Sequence, residues 1–122
     1  MLINTLKIME IGKIVQLLDA KVLCGSHRIK DEISKAFSSD LMSDVLTLDA
    51  ENILLISGLA NVQLIRTAEV ADIHYLVIVR NKKVTEDIID LASKLNMVLI
   101  ESPFSMFKAS GILFANGLDP LY

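Results

Sequence analysis

The chain has 122 residues, of which 52% are hydrophobic and 22% charged, and its formal net charge at pH 7 is −3. This composition predicts one globular domain and excludes a disordered chain. The acidic balance and the scattered lysines and arginines argue against nucleic acid, and no apolar run approaches the ~20 residues that span a membrane.

Cys24 is the single cysteine and cannot form an internal disulfide, which predicts a reducing, cytoplasmic setting. The first residues lack the charged stretch and small-residue cleavage site of a signal peptide. The high apolar share of so short a chain predicts a surface buried between copies, as in a homodimer.

Residues 1–8 have no clear period and are either an alternative start or a loose N-terminal extension of a domain that covers 9–117. Apolar residues at i, i+3, i+4 and i+7 then predict an amphipathic helix over Glu10–Leu18. Ala20–Cys24 and Ile33–Phe37 are predicted strands, separated by a polar surface loop.

A short helix follows, with Ser39 or Asp40 as its cap and three residues directed inward: Leu41, Met42 and Val45.

The uncharged run Ile53–Ser57 predicts a strand buried on both faces, and the chain is organised around it. Gly58 provides the turn, and Asn61 is a good N-cap for the next helix. The buried stripe of that helix is predicted to be Leu64, Ile65, Ala68 and Ala71.

Two further strand–helix units follow. Tyr75–Val79 and Met97–Ile100 are predicted strands, and Thr85 caps the helix between them. Ser102 and Pro103 are the predicted N-cap and N1 residues of a last helix. That helix carries Phe104, Phe107 and Phe114, and residues 118–122 form a tail. Short strand–helix–strand connections predict an α/β fold of three layers, with helices on a mainly parallel sheet.

Ligands of open α/β sheets bind beyond the carboxyl ends of the strands. We expect backbone N–H groups there to hold an anion, with Arg66 adding positive charge. The predicted ligand-binding residues are Ser39, Asp40, Ser43, Gly58, Asn61, Arg66 and Ser102. No metal, cofactor or catalytic residue is expected, because the chain has no phosphate-binding glycine motif and no cluster of histidines and cysteines.

Asp40 and Asp44 lie one helical turn apart and leave two interpretations open. They are either a carboxylate pair for acid–base chemistry or magnesium binding, or a cap and a solvated side chain.

The segment Ala36–Leu46, which reads Ala-Phe-Ser-Ser-Asp-Leu-Met-Ser-Asp-Val-Leu, resembles the DRTGG domain. So do Val22–Gly25, Asn61–Glu69 and Ser102–Phe107, and the resemblance extends over roughly residues 10–117. Where the five residues that name the family would align, this chain reads Ser57-Gly58-Leu59-Ala60-Asn61.

The resemblance implies a fold similar to the amino-terminal domain of HPr kinase/phosphorylase and to the middle region of some phosphotransacetylases. In larger proteins the domain accompanies CBS modules, including those of regulated pyrophosphatases, as a regulatory or dimer-forming part without catalytic residues. The function expected for this chain is therefore a non-enzymatic regulatory or interaction module that forms a homodimer. A redox-complex or signalling protein is the expected partner, and the alternative is a sensor of a nucleotide or another small anion.

Overall fold

The computed structural model describes residues 8–122. Its helices are α1 (Ile11–Leu17), α2 (Met42–Val45), α3 (Val62–Val70), α4 (Glu86–Lys94) and α5 (Met106–Ala115). Its strands are β1 (Met9–Glu10), β2 (Lys21–Cys24), β3 (Glu32–Ile33), β4 (Lys35–Ser38), β5 (Ile53–Ser57), β6 (Tyr75–Ile78), β7 (Val98–Glu101) and β8 (Asp119–Pro120). The N-terminal extension predicted at 1–8 lies outside the described residues except for Ile8.

The main sheet has six strands in the order β2-β7-β6-β5-β4-β8. Strands β4 to β8 are parallel to their neighbours, and β2 is antiparallel to β7 at one edge. A small antiparallel sheet of β1 and β3 lies apart from it. The predicted α/β fold with a mainly parallel sheet is confirmed.

The predicted central strand is confirmed at β5, where all five residues are buried. Because side chains alternate along a strand, Leu54 and Ile56 pack on one face of the sheet and Ile53 and Leu55 on the other. Both faces of a parallel sheet must be covered by other elements, which explains the absence of polar residues before Ser57.

Two helical layers cover the sheet. Helices α1 and α5 pack on one face through five buried residues: Ile11, Ile14, Leu18, Ala109 and Leu113. Helices α2, α3 and α4 pack on the other through Val45, Leu64, Ile65, Ala68, Ile88 and Ala92. Within residues 8–122 no helix is long and apolar enough to cross a lipid bilayer.

The strand predicted at Ile33–Phe37 is two strands with different partners. Ile33 pairs with Met9 in the small sheet, whereas Lys35 pairs with Ile53 in the main sheet. Between them, the backbone N–H of Ser34 donates to the carbonyl of Asn52 at 3.1 Å. The change of partner is set by neighbours distant in sequence, so the local pattern does not reveal it.

The segment predicted as a tail, 118–122, includes β8 at the sheet edge. Beyond β8, the N–H of Leu121 donates to the carbonyl of Ala36 at 3.0 Å. Pro120 has no N–H to offer a further strand, which suits an edge position.

The helix caps agree in part with those predicted from the sequence. Asn61 caps α3 as predicted, with its side-chain oxygen accepting from the N–H of Leu64 at 2.9 Å. Thr85 lies at the predicted N-cap position of α4, but its hydroxyl donates to the carboxylate of Asp87 instead of accepting from the backbone. That hydrogen bond lowers the pKa of Asp87.

Candidate functional site

The candidate site lies at the carboxyl ends of three adjacent parallel strands. Asp40 comes two residues after β4, Gly58 directly after β5, and Arg80 shortly after β6. Because β4, β5 and β6 are parallel neighbours, their carboxyl ends lie side by side at the same end of the sheet.

Asp40 joins the first two of these ends. Its Oδ1 accepts hydrogen bonds from the N–H of Gly58 at 2.6 Å and from the Ser57 hydroxyl at 3.0 Å. Its Oδ2 lies 3.8 Å from Nη1 of Arg80. A carboxylate that accepts from a backbone N–H makes a strong, charge-assisted bond, so Asp40 holds the loop after β4 against the end of β5.

Neither predicted residue is the N-cap of α2. The N-cap position is Leu41, and it provides no side-chain hydrogen bond. Ser39 Oγ instead accepts from the N–H of Leu41 at 2.9 Å. Asp40 is directed away from the helix because Gly58 and Ser57 offer it two donors at once.

Gly58 packs closely against the side chains of Arg80 and Asp40. A Cβ at this position would lie 3.2 Å from Cδ and Nη1 of Arg80 and 3.3 Å from Oδ2 of Asp40. The N–H that we expected to hold an anion already has the Asp40 carboxylate as its partner. An anionic ligand would therefore meet both the negatively charged carboxylate of Asp40 and the positively charged guanidinium of Arg80.

Arg80 is the site residue that the sequence analysis missed. It adopts a φ of 71°, Asn81 adopts 54°, and the Arg80 N–H donates to the carbonyl of Phe104 at 2.7 Å. The sequence analysis gave it no role, and its only sequence signal is a charged residue shortly after an uncharged strand. The turn directs the half-exposed guanidinium over Gly58.

Three other predicted site residues are exposed or have partners outside this group. Ser43 is exposed on α2, and the Asn61 side chain is engaged in the cap of α3. Arg66 is exposed on α3 and pairs with Glu69 at 3.2 Å.

Ser102 is buried at the end of β7, where its hydroxyl donates to the carbonyl of Leu18 at 2.8 Å. It does not cap the last helix. Ser105 does, accepting from the N–H of Lys108 at 3.1 Å, and the predicted start of α5 was wrong by several residues. Ser102 thus ties the end of β7 to the end of α1.

Asp44, the other member of the proposed carboxylate pair, is exposed on α2. The structure therefore favours a structural role for Asp40 and a solvated Asp44. No group of three or more potential metal ligands occurs among residues 8–122.

A second polar cluster lies at the opposite end of the parallel strands, where β6 begins with Tyr75. Arg28 donates to Asp31 at 2.7 Å and to the Tyr75 hydroxyl at 2.8 Å, and that hydroxyl donates to Asp31 at 2.8 Å. Burial acts to raise the pKa of Asp31, but the hydrogen bonds from Tyr75 and Arg28 and the Arg28 charge outweigh it and lower the pKa. Every group has a partner, and the cluster fastens the loop that we predicted as a polar surface segment.

Cys24 is half-buried at the end of β2, and its thiol contacts the carbonyl of Met97 at 3.5 Å. Burial raises the pKa of this thiol. A raised pKa disfavours the reactive thiolate, which agrees with a packing role.

The sequence matches no protein-family model and shows no significant similarity to a curated protein. Among solved structures, the chain is similar to the CBS and DRTGG domains of the regulatory region of a Clostridium perfringens pyrophosphatase, complexed with its activator diadenosine tetraphosphate. The TM-score is 0.72 at 18% sequence identity.

The match covers 92% of this chain and 48% of that one, so the chain spans about half the length of its structural neighbour. At this identity the likeness concerns the fold. The similarity agrees with the resemblance seen in the sequence, and it shows that this chain has an α/β fold similar to that of this regulatory region.

Proposed function

We propose that this chain is a non-enzymatic regulatory or protein-interaction module that acts as a homodimer. The observation that carries the proposal is its likeness, over 92% of its length, to a regulatory region and not to a catalytic domain. The site geometry supports it, because the Asp40 carboxylate is engaged by Gly58 and Ser57 within the chain.

Exposed apolar side chains support the homodimer. Phe107 and Phe114, both on α5, are 89% and 67% exposed. The test is the solution mass at micromolar concentration by light scattering. A dimer has twice the 13.5 kDa of one chain, whereas a mass of one chain would contradict the homodimer.

The second candidate function is a sensor of a small nucleotide or another anion. Two observations favour it: the neighbouring regulatory region binds diadenosine tetraphosphate, and Arg80 presents a half-exposed guanidinium beside Gly58. A guanidinium suits phosphate, and the half-exposed carboxylate of Asp40, whose Oδ2 lies 3.8 Å from Arg80, suits a hydroxyl or amino group of the same ligand.

The experiment is thermal unfolding with adenine nucleotides, diadenosine tetraphosphate and acetyl phosphate. A ligand at a hundred times its dissociation constant stabilises by ~2.7 kcal/mol, which raises the midpoint by roughly ten degrees.

Arg80→Ala should abolish such a shift, and Arg66→Ala, a change of the same kind on an exposed arginine of α3, should retain it. A shift lost in Arg66→Ala and kept in Arg80→Ala would place the ligand elsewhere. A panel without any shift would contradict the sensor for these ligands and leave the interaction module.

A further inference from the structure

One face of α5 projects two aromatic rings into solvent, and within the described residues its contact with the sheet includes a 2.7 Å hydrogen bond between the hydroxyls of Ser110 and Ser38. Phe107, Ser110, Gly111 and Phe114 fall at i, i+3, i+4 and i+7 and therefore share this face. Phe107 is 89% exposed and Phe114 67%, whereas the opposite side of the helix is buried against the sheet. We refer to these four residues as the α5 face.

An apolar groove of about 460 Å³ runs beside the α5 face. It lies between α5 and the sheet edge formed by β4 and β8, and Tyr122, 83% exposed, also lines it. A Cβ built on Gly111 meets no atom within 4 Å, so the middle of the α5 face is open. The face thus carries two projecting aromatic rings with a depression between and beside them.

We infer that the α5 face and this groove are the surface through which two copies of this chain pair about a two-fold axis. The inference rests on the homodimer proposed above and specifies its surface. In the dimer, the Phe107 and Phe114 rings of each copy enter the groove of the other copy and cover its Gly111.

The exposed area is of the size that a dimer requires. Phe107, Phe114 and Tyr122 together expose on the order of 500 Å², since an aromatic side chain offers ~150–250 Å². A standard interface buries ~800 Å² on each partner, and three side chains supply more than half of it. A patch of this size lies in the range of about 300–600 Å² found for the largest apolar patch of a protein surface, which is often a functional one.

The shape of the patch favours a second copy over another occupant. A two-fold interface must be complementary to itself, so projections and depressions have to lie on the same patch. Here the aromatic rings, the small residues Ser110 and Gly111 and the groove are contiguous.

The chemistry of the patch agrees with this. Lys108 stands outside the α5 face, with Nζ 3.9 Å from the centre of the Phe104 ring. The four residues of the α5 face carry no charge, and Asp119, which is half-buried, is the charged residue among those that line the groove. Depletion of charged side chains is typical of the core of a protein interface. Addition of an extended peptide at the sheet edge is disfavoured, because β8 has two residues and one of them is Pro120.

The first test compares four proteins by sedimentation velocity across concentration: the wild type, Phe107→Asp, Phe114→Asp and Val70→Asp. Val70 is the matched control, an apolar residue 75% exposed on α3 in the other helical layer. We expect the wild type and Val70→Asp to dimerise alike. Each phenylalanine variant should raise the dissociation constant by about tenfold or more, the effect of losing a central aromatic side chain.

The second test asks whether the two α5 faces meet. Gly111→Cys in a Cys24→Ser background should form a disulfide-linked dimer under mild oxidation, and Val70→Cys in the same background should not. Circular dichroism of each variant checks that it is folded.

The outcomes distinguish an error in the dimer surface from an error in the homodimer itself. A wild-type dimer that both phenylalanine variants retain, with no cross-link at residue 111, overturns this surface and leaves the homodimer standing. A monomeric wild type overturns both.

Discussion

At the scale of single residues, identical side chains have different roles in this chain. Asp40 accepts two hydrogen bonds at the end of β5 and lies beside Arg80, whereas Asp44, four residues later, is exposed on α2. Ser102 is buried and bonds to a carbonyl 84 residues away, whereas Ser105 caps a helix at the surface.

The two aspartates give the first prediction. Asp40→Ala removes the acceptor of the Gly58 N–H and the Ser57 hydroxyl, and we expect a loss of ~1–3 kcal/mol in the free energy of unfolding. Asp44→Ala, on an exposed residue, should change it by no more than ~0.5 kcal/mol. Urea unfolding at pH 7 measures both, and equal losses would contradict the role assigned to Asp40.

Asp31 gives a prediction about pH. Its pKa is lower in the fold than the ordinary value, so it stabilises the fold above the unfolded pKa of about 3.9 and this stability is lost as pH falls through the folded pKa. Asp31→Asn should therefore be less stable than the wild type at pH 7, and the difference should shrink from about pH 4 downward.

Asp49→Asn, on an exposed residue, is the control for the loss of one carboxylate charge. Denaturant midpoints measured from pH 7 to pH 2.5 compare the three proteins. A difference between Asp31→Asn and the wild type that stays constant over this range would exclude the proposed pKa effect.

At the scale of elements, strands and helix faces were easier to predict than the ends of helices. Strand β5 and the cap of α3 agree with the prediction, because a run of buried residues and an N-cap are both local features. The start of α5 was misplaced, since Ser102 and Ser105 are both followed by residues that can begin a helix. Burial of the Ser102 hydroxyl against Leu18 decides between them.

Two serine variants test this assignment. Ser105→Ala should remove a cap and cost ~1 kcal/mol, with a loss of helical signal as α5 frays. Ser102→Ala should cost ~1–3 kcal/mol, because the carbonyl of Leu18 loses its buried donor, but should leave the start of α5 intact. Hydrogen exchange at Lys108 distinguishes them, and faster exchange in Ser102→Ala than in Ser105→Ala would reverse the assignment.

At the scale of the whole molecule, the two helical layers differ in how much apolar surface they leave exposed to water. Helices α3 and α4 both bury an apolar stripe against one face, and α1 and α5 do so against the other. Helix α5 has a second apolar face, which carries Phe107 and Phe114 and which the fold leaves in water. The sequence analysis assigned these phenylalanines to the last helix without separating its buried from its exposed side.

A homodimer makes stability depend on protein concentration. If folding and association are linked, a tenfold rise in concentration should raise the thermal midpoint by roughly 3–5 °C. Phe107→Asp should shift this dependence to concentrations at least about tenfold higher, in line with its weaker association, and Val70→Asp should leave it unchanged. Scanning calorimetry over two decades of concentration tests the expectation, which a constant wild-type midpoint would refute.

The sequence by itself determined the α/β class, the parallel strands β5, β6 and β7 and the helices between them. These features depend on apolar periods and on contacts within a few residues, which the local sequence encodes. The resemblance to the DRTGG domain also came from short local segments, and the structural similarity agrees with it.

Only the tertiary structure decided the partner of Asp40, the position of Arg80 over Gly58 and the pairing of β8. Each polar group had several possible hydrogen-bond partners nearby, and the free energies of these choices differ by about 1 kcal/mol, the contribution of one hydrogen bond. The choice depends on which donor from a distant strand arrives within reach, and that is set by the assembly of the sheet.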